Sequence, residues 1–277
     1  MDVLKHKNDT THTIVAEYNT RIKTYANKEK KVIFHSYSNL KGYGQEKKKN
    51  SLIEIIEEER ERQRKKNLYR TKMNIVDLIY HNGLKEPWQY FVTLTFNPGE
   101  VDSLDYDVVV KAMRKWIDNM QHQNPGMSYV MTPELHKSGR VHWHGVFKNV
   151  PNWNLVQART PGGRLIKKNG LQIYNLTNYK YGYTTVSEIQ NQEAVSVYVS
   201  KYITKDLIDK AYKKRYWCSR DLEKPSIEYA QLDEESLTIF IDKYNVKDLV
   251  EKKTENSKSL YLSLNTDFTS NLNEDLV

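Results

Sequence analysis

The stretch MSYVMTPELHKSGRVHWHGVF, Met127–Phe147, decides the architecture. Two β-prone runs flank a polar segment around Ser138 and Gly139, which is the pattern of a β-hairpin. Side chains alternate along a strand, so His142 and His144 share one face while Trp143 takes the other. What stands beside the histidines depends on register. A three-residue loop of Ser138, Gly139 and Arg140 sets Glu134 opposite His144 and His136 opposite His142; a two-residue loop sets Glu134 beside Trp143 instead. The first register is expected, with Glu134 as the third donor of a metal site and His136 as the alternative. Two imidazoles and a carboxylate on one face can share a divalent ion, although a His-x-His pair alone is commonly a surface pair or a hydrogen-bonded strand residue.

Working outward, QYFVTLTF (89–96) reads as a further strand, and Leu104 to Gln123 as a helix whose Val109, Met113, Trp116, Ile117 and Met120 recur at core spacing. After the hairpin come a Gly-rich insert, the strand GYTTVSEI, a helix from about Gln192 to Lys205, and RYWCSRDL. Strands interleaved with helices in this way predict an α+β domain with a sheet. Within the last helix, YVSKYITK places Tyr198, Lys201, Tyr202 and Lys205 on one face, at i, i+3, i+4 and i+7. Val195, Val199 and Ile203 form a separate apolar stripe. The helix can therefore pack through its aliphatics and present two phenols and two ammonium groups sideways; an ordinary amphipathic helix whose Tyr and Lys reach solvent has the same look.

On the amino-terminal side, THTIVAEYNT and KVIFHSYS, between about Thr11 and Ser38, suggest a small hairpin. A lysine-rich loop follows, and then a helix opened by a capping box of Ser51 and Glu54. Its middle, Glu54 to Lys66, holds five acids and five bases, a solvated face laced with ion pairs. Beyond Pro225 a helix is expected near Glu234 to Tyr244, and the last twenty residues are expected to be disordered on their polar composition. The divisions read this way are an accessory region over 1–85, a catalytic-type sheet domain over 86–225 and an acidic extension over 226–277.

Of 277 residues, 38% are hydrophobic, enough for one sizeable core with appendages. From Ser226 onward eleven acids face five lysines, so the +8 of the whole chain leaves +14 on the preceding 225 residues. A body of that charge attracts polyanions, nucleic acid first and anionic membrane surface second. The single cysteine, Cys218, excludes an internal disulfide framework, and the polar start MDVLKHKNDT has no apolar secretion signal, so a cytoplasmic protein is expected. Basic and aromatic residues interleave in the insert: Arg159, Arg164, Lys167, Lys168 and Lys180 with Trp153, Tyr174, Tyr179 and Tyr181. That mixture suits the phosphates and stacked bases of single-stranded nucleic acid, and equally a long exposed loop. Arg140, Lys213, Lys214 and Arg215 are further candidate DNA contacts.

FVTLTF, then Glu-x-His with HWHG, then YVSKYITK, in this order, resemble the three motifs of the HUH endonucleases over about Tyr90 to Leu222. The doubled Tyr-x-x-Lys is similar to that of the two-tyrosine rolling-circle initiators of small single-stranded DNA phages and related phage or plasmid replication proteins. The resemblance implies a central antiparallel sheet flanked by helices, RRM-like or ferredoxin-like. It implies that His142 and His144, with Glu134 (or His136), bind Mn²⁺ or Mg²⁺, that Tyr198 and Tyr202 are nucleophiles, and that Lys201 and Lys205 are the motif lysines. The implied activity is sequence-specific nicking and rejoining of origin single-stranded DNA, presented as a hairpin, through a 5'-phosphotyrosine. No GxxxxGK[ST] is present, so unwinding is expected to fall to a host helicase, with a host polymerase extending the strand. A transposase or mobilisation relaxase would carry the same residues; a non-catalytic nucleic-acid-binding repressor would have kept the fold without needing them.

The chemistry accounts for the residue types independently. A phenol of pKa about 10 is ionised in only about one molecule per thousand at neutral pH, an opposing term of roughly 4 kcal/mol. A divalent ion held by imidazole and carboxylate can draw charge from a phosphate, and a nearby ammonium can stabilise a phenolate. His₂Glu would also suit Zn²⁺ on coordination grounds.

Overall fold

The computed structural model describes residues 18–37, 52–204, 214–243, 246–254 and 257–264. In chain order the first elements are β1 (Tyr18–Thr24), β2 (Lys30–Tyr37), α1 (Leu52–Lys85), β3 (Tyr90–Phe96), α2 (Tyr106–Gln123), β4 (Ser128–Leu135) and β5 (Val141–Lys148). The insert holds β6 (Leu155–Gln157), β7 (Lys167–Lys168), β8 (Leu171–Gln172) and β9 (Tyr174–Leu176). There follow β10 (Gly182–Glu188), α3 (Gln192–Ser200), β11 (Trp217–Cys218), β12 (Ser226–Leu232), α4 (Glu234–Lys243), β13 (Val246–Thr254) and β14 (Ser257–Leu264). None of the described helices is long and apolar enough to cross a membrane.

Two compact units divide the chain: residues 47–225, and the two ends together, 1–46 with 226–277. The composition-based boundary at 225 coincides with this division. The one at 85 does not, because α1 belongs with the central unit. The expected α+β class holds, with a seven-stranded antiparallel sheet in the order β11-β4-β5-β3-β10-β9-β6 and helices against it.

Alternation fixes what each face of that sheet carries. Val92, Leu94, Met131, Trp143 and Phe147 point one way and pack against the Met113, Trp116 and Met120 side of α2. The neighbouring residues point the other way, where Val130 and Val146 meet Ile75 and Ile79 of α1 and Val195 and Val199 of α3. All five α2 residues expected in the core are buried. Asp105 caps that helix, its carboxylate accepting from the amides of Asp107 and Val108, so it begins two residues later than its apolar spacing suggested. The charged stretch of α1 is exposed and carries the ion pairs Arg62–Glu59 and Lys65–Glu61. Ser51 and the side chain of Glu54, the expected capping box, lie outside the described residues.

In the other unit a five-stranded antiparallel sheet runs β12-β1-β2-β14-β13. The expected hairpin forms, but its first described strand is YNTRIKT; residues 11–17 of the stretch read as strand lie outside the described residues. The expectation of a disordered end is overturned at Ser257–Leu264, which form an interior strand between β2 and β13. Leu260, Leu262 and Leu264 alternate onto the buried face beside Val32 and Phe34, a period of two that outweighs the polar composition around it. Residues 265–277 lie outside the described residues.

Candidate active site

Three antiparallel strands and the end of α3 build the site. The β4–β5 hairpin pairs Leu135 with Val141, Glu134 with His142 and Thr132 with His144, and the amide of His136 donates to the carbonyl of Arg140. This corrects the expected register by two residues. The turn is Lys137, Ser138 and Gly139, with Gly139 at φ +80°, the left-handed position that favours glycine. A shift of two preserves parity, so Glu134, His136, His142 and His144 still share a face, but Glu134 lies directly across from His142 and diagonal to His144.

That diagonal is used. The Nε2 of His144 lies 2.7 Å from an oxygen of Glu134, and its Nδ1 lies 3.0 Å from the hydroxyl of Thr93 on β3. Burial, followed by the opposing hydrogen bond from Glu134, leaves the His144 pKa lowered to about 4. The short contact is therefore a hydrogen bond from a neutral imidazole rather than an ion pair: Nε2–H donates to Glu134, and Nδ1 accepts from Thr93. The Nδ1 of His142 pairs likewise with Thr95, at 3.3 Å, and its ring stacks on that of His136 at 5.4 Å. Burial lowers the pKa of His142 as well, with His136 adding to the effect. Both imidazoles thus use Nδ1 on β3 threonines, which leaves each Nε2 for another partner. Among the described residues, no three His, Cys, Asp or Glu side chains converge closely enough to hold a metal ion.

The tyrosines arrive from the helix side. The amide of Ala194 donates to Asn191, which caps α3. The regular helix stops at Ser200, short of the expected Lys205, and Lys201 to Ile203 continue in i→i+3 hydrogen bonds. A local cause is visible: the Ser200 hydroxyl donates to the Val197 carbonyl, the acceptor that the Lys201 amide would otherwise use. The tightened turn lays the Tyr202 ring flat on His144, with centroids 3.6 Å apart and planes 5° from parallel. The Tyr202 hydroxyl donates to that of Tyr198 over 3.0 Å, and Phe91 wedges against both rings. Tyr198 is 37% exposed, whereas Tyr202 is half-buried. Burial, then the Tyr198 hydroxyl and the Glu134 carboxylate, push the Tyr202 phenol well above the ordinary tyrosine range. The Lys201 ammonium lies 5.0 Å over the Tyr198 ring.

The structure thus brings together Glu134, His142, His144, Tyr198, Tyr202 and Lys201, with His136 at the rim. Residues 89–207 match the family model described as replication-associated protein ORF2. That span contains every residue of this cluster and covers less than half of the chain. The chain is similar there to replication-associated proteins, which supports a role in replication initiation. It matches no curated protein and no solved structure.

Lys205 and Lys213 lie outside the described residues. Arg159, Arg164, Lys167, Lys168 and Lys180 are exposed on the insert, and Lys168 comes near enough to His144 to help lower its pKa. Trp153 and Tyr179, read as stacking groups, are instead buried in the core against α2. Arg140 is tied to Ser103 by a 2.9 Å hydrogen bond, and Lys214 and Arg215 lie over the sheet edge at β11. Three contributors escaped the sequence reading. Thr93 and Thr95 were visible in the alternation of FVTLTF, and Tyr183, 70% exposed, pairs across from Thr95 on the same face.

Proposed function

We propose that this site nicks and rejoins single-stranded DNA at a replication origin by attack of a tyrosine, in a rolling-circle mode. The observation that carries the reading is the stacking of Tyr202 on His144: it puts a phenol-bearing helix end directly on a histidine and carboxylate cluster, within a stretch similar to replication-associated proteins.

The donor set suits a divalent ion such as Mn²⁺ or Mg²⁺, held by Nε2 of His142, Nε2 of His144 and Glu134. Such an ion would polarise the scissile phosphate. Holding it requires His144 to release its Nε2 proton and Thr93 to turn from donor to acceptor, which a hydroxyl can do. Tyr198 is the first nucleophile on this reading, being the exposed phenol and the acceptor of the Tyr202 hydrogen bond. Its oxygen forms a bond to phosphorus as the bond to the 3' oxygen breaks, leaving a 5'-phosphotyrosine and, after proton uptake, a free 3'-hydroxyl. Tyr202 stands ready for the second transfer that releases a circle. Lys201 offsets charge at the Tyr198 ring, and Lys205 is proposed for the second phenol. Exposed Tyr183 offers a ring on which a base of the substrate strand can stack, and the insert cations, with Arg140, are proposed to track its phosphates. Host helicase and polymerase would complete the cycle in the cytoplasm.

The test is a labelled single strand from the flanking origin, incubated with the full chain and Mn²⁺ or Mg²⁺, with the covalent adduct mapped by peptide. An adduct on Tyr198 that vanishes on chelation is expected. Absence of any adduct with either ion on cognate DNA defeats the nicking reading.

A further inference from the structure

At the β11 edge of the central sheet an open groove of about 1400 Å³ runs between α1 and α2, which lie on opposite faces of that sheet. Three separate elements supply its cations: Arg70 from α1, Arg114 from α2, and Lys214, Arg215 and Arg220 from the segment around β11. Against these five stand Asp118 and Asp221, and Asp221 is engaged by the Ser128 hydroxyl at 2.5 Å. Arg70, Arg114, Lys214 and Arg220 are exposed, and none forms an ion pair among the described residues. Charge is concentrated here without internal neutralisation.

The floor indicates how a ligand is held. Its aromatic rings are turned inward, Trp217 against Trp143 at 4.8 Å and Tyr129 against Phe147 at 6.0 Å. Little ring surface is left for stacking, so the groove suits a ligand gripped by charge, and its volume exceeds that of an ordinary small-molecule pocket. One end adjoins the candidate active site: the Arg215 carbonyl accepts from the hydroxyl of Thr132, the residue paired with His144. A strand leaving that site toward β4 and β11 meets the groove next.

We propose that this groove binds the phosphodiester backbone of DNA flanking the cleaved position, as an anchor separate from the catalytic face. The identity of the polyanion as DNA rests on the nicking reading; the anchoring itself does not require cleavage. A regularly charged strand matches cations spread over three elements better than an acidic peptide does, since a peptide would also need apolar contacts that the inward-turned floor withholds.

The experiment measures binding of a labelled single-stranded oligonucleotide to the full chain by fluorescence anisotropy, with chelator present and at several salt concentrations. The variant is Arg70→Ala/Arg114→Ala/Arg220→Ala. Binding should weaken roughly tenfold at moderate salt, and the slope of log affinity against log salt should fall by about 0.7 for each phosphate no longer neutralised. His142→Ala/His144→Ala in the same assay should keep the wild-type slope. If the triple variant binds with wild-type affinity and slope, the groove is not a DNA site. Should the triple variant lose its cooperative melting transition, Arg114→Glu alone carries the same two outcomes. Wild-type binding that depends on the groove, without cleavage under any ion, would sink the nicking reading and leave the anchor standing.

Discussion

The two faces of the seven-stranded sheet are written by the same three strands, one residue out of step. Toward α2, Leu94, Met131, Trp143 and Phe147 are fully buried and apolar. Toward α1 and α3, their neighbours Thr93, Thr95, Glu134, His142 and His144 are polar, and each contributes to a cluster joined by hydrogen bonds. Burying imidazoles and a carboxylate costs free energy, and the opposite face, with close packing around two tryptophans, offsets it. The same backbone thereby separates stability from chemistry.

The largest expected effect lies on the polar face. Tyr198→Phe/Tyr202→Phe should form no covalent adduct, while each single variant keeps some nicking, Tyr198→Phe less than Tyr202→Phe. Complete loss in one single variant beside wild-type behaviour in the other would show that only one phenol attacks. Replacing His142 and His144 by Ala should lower cleavage on the order of a thousandfold or more while unfolding stays cooperative. Unchanged cleavage in that variant would remove the metal site from the mechanism.

Trp143→Ala probes the opposite face and should invert the pattern. Chemical denaturation should show a loss of about 3–5 kcal/mol, with nicking per folded molecule preserved. A drop in turnover without a drop in stability would mean that the faces are not separable.

The next effect is on pH. His144 binds its proton less readily when folded than when unfolded, so below the ordinary value near 6.5 the unfolded chain gains protons that the native chain refuses. Stability present above that pH should therefore decline as pH falls toward 4, by at most ~3 kcal/mol. Melting of metal-free protein across this range should show the decline, and His144→Ala should flatten it. Gly145→Ala should cost about 1–3 kcal/mol, because a Cβ there would stand 2.6 Å from the Val130 carbonyl oxygen and 2.7 Å from Met131. The smallest effect is expected at Tyr183→Ala, where losing a stacking ring should weaken single-strand binding by about 1–3 kcal/mol without altering melting. Equal affinities would take Tyr183 out of the substrate path.

Much of this was legible because alternation is a property of the backbone. VHWHG alone places both histidines on one face and Trp143 on the other, and an even shift in register leaves that placement unchanged. What alternation does not contain is the number of residues in the turn. That is how Glu134 came to be paired with His142 instead of His144, a difference set by where Gly139 takes its left-handed conformation. The early end of α3 was likewise hidden, since it depends on which donor wins the Val197 carbonyl. The groove cations were only half visible: Lys214 and Arg215 stand in a basic run, but Arg70 and Arg114 join them only through the packing of two helices on opposite faces. The interior strand Ser257–Leu264 is a different kind of miss. Its pattern of alternate leucines was present in the sequence and was overshadowed by the acidic, polar composition around it.

That interior strand sets an order of events during synthesis. The β1–β2 hairpin emerges first, yet its sheet neighbours β12 and β14 lie at Ser226–Leu232 and Ser257–Leu264. About 190 residues must be translated between β2 and β12, which at ordinary elongation rates leaves the hairpin's edges open for roughly 10–40 s. The central unit is complete by residue 225 and can close meanwhile. The nascent chain thus exposes pairing edges at its oldest end until its youngest strands arrive, a window in which a chaperone or a neighbouring nascent chain competes for them.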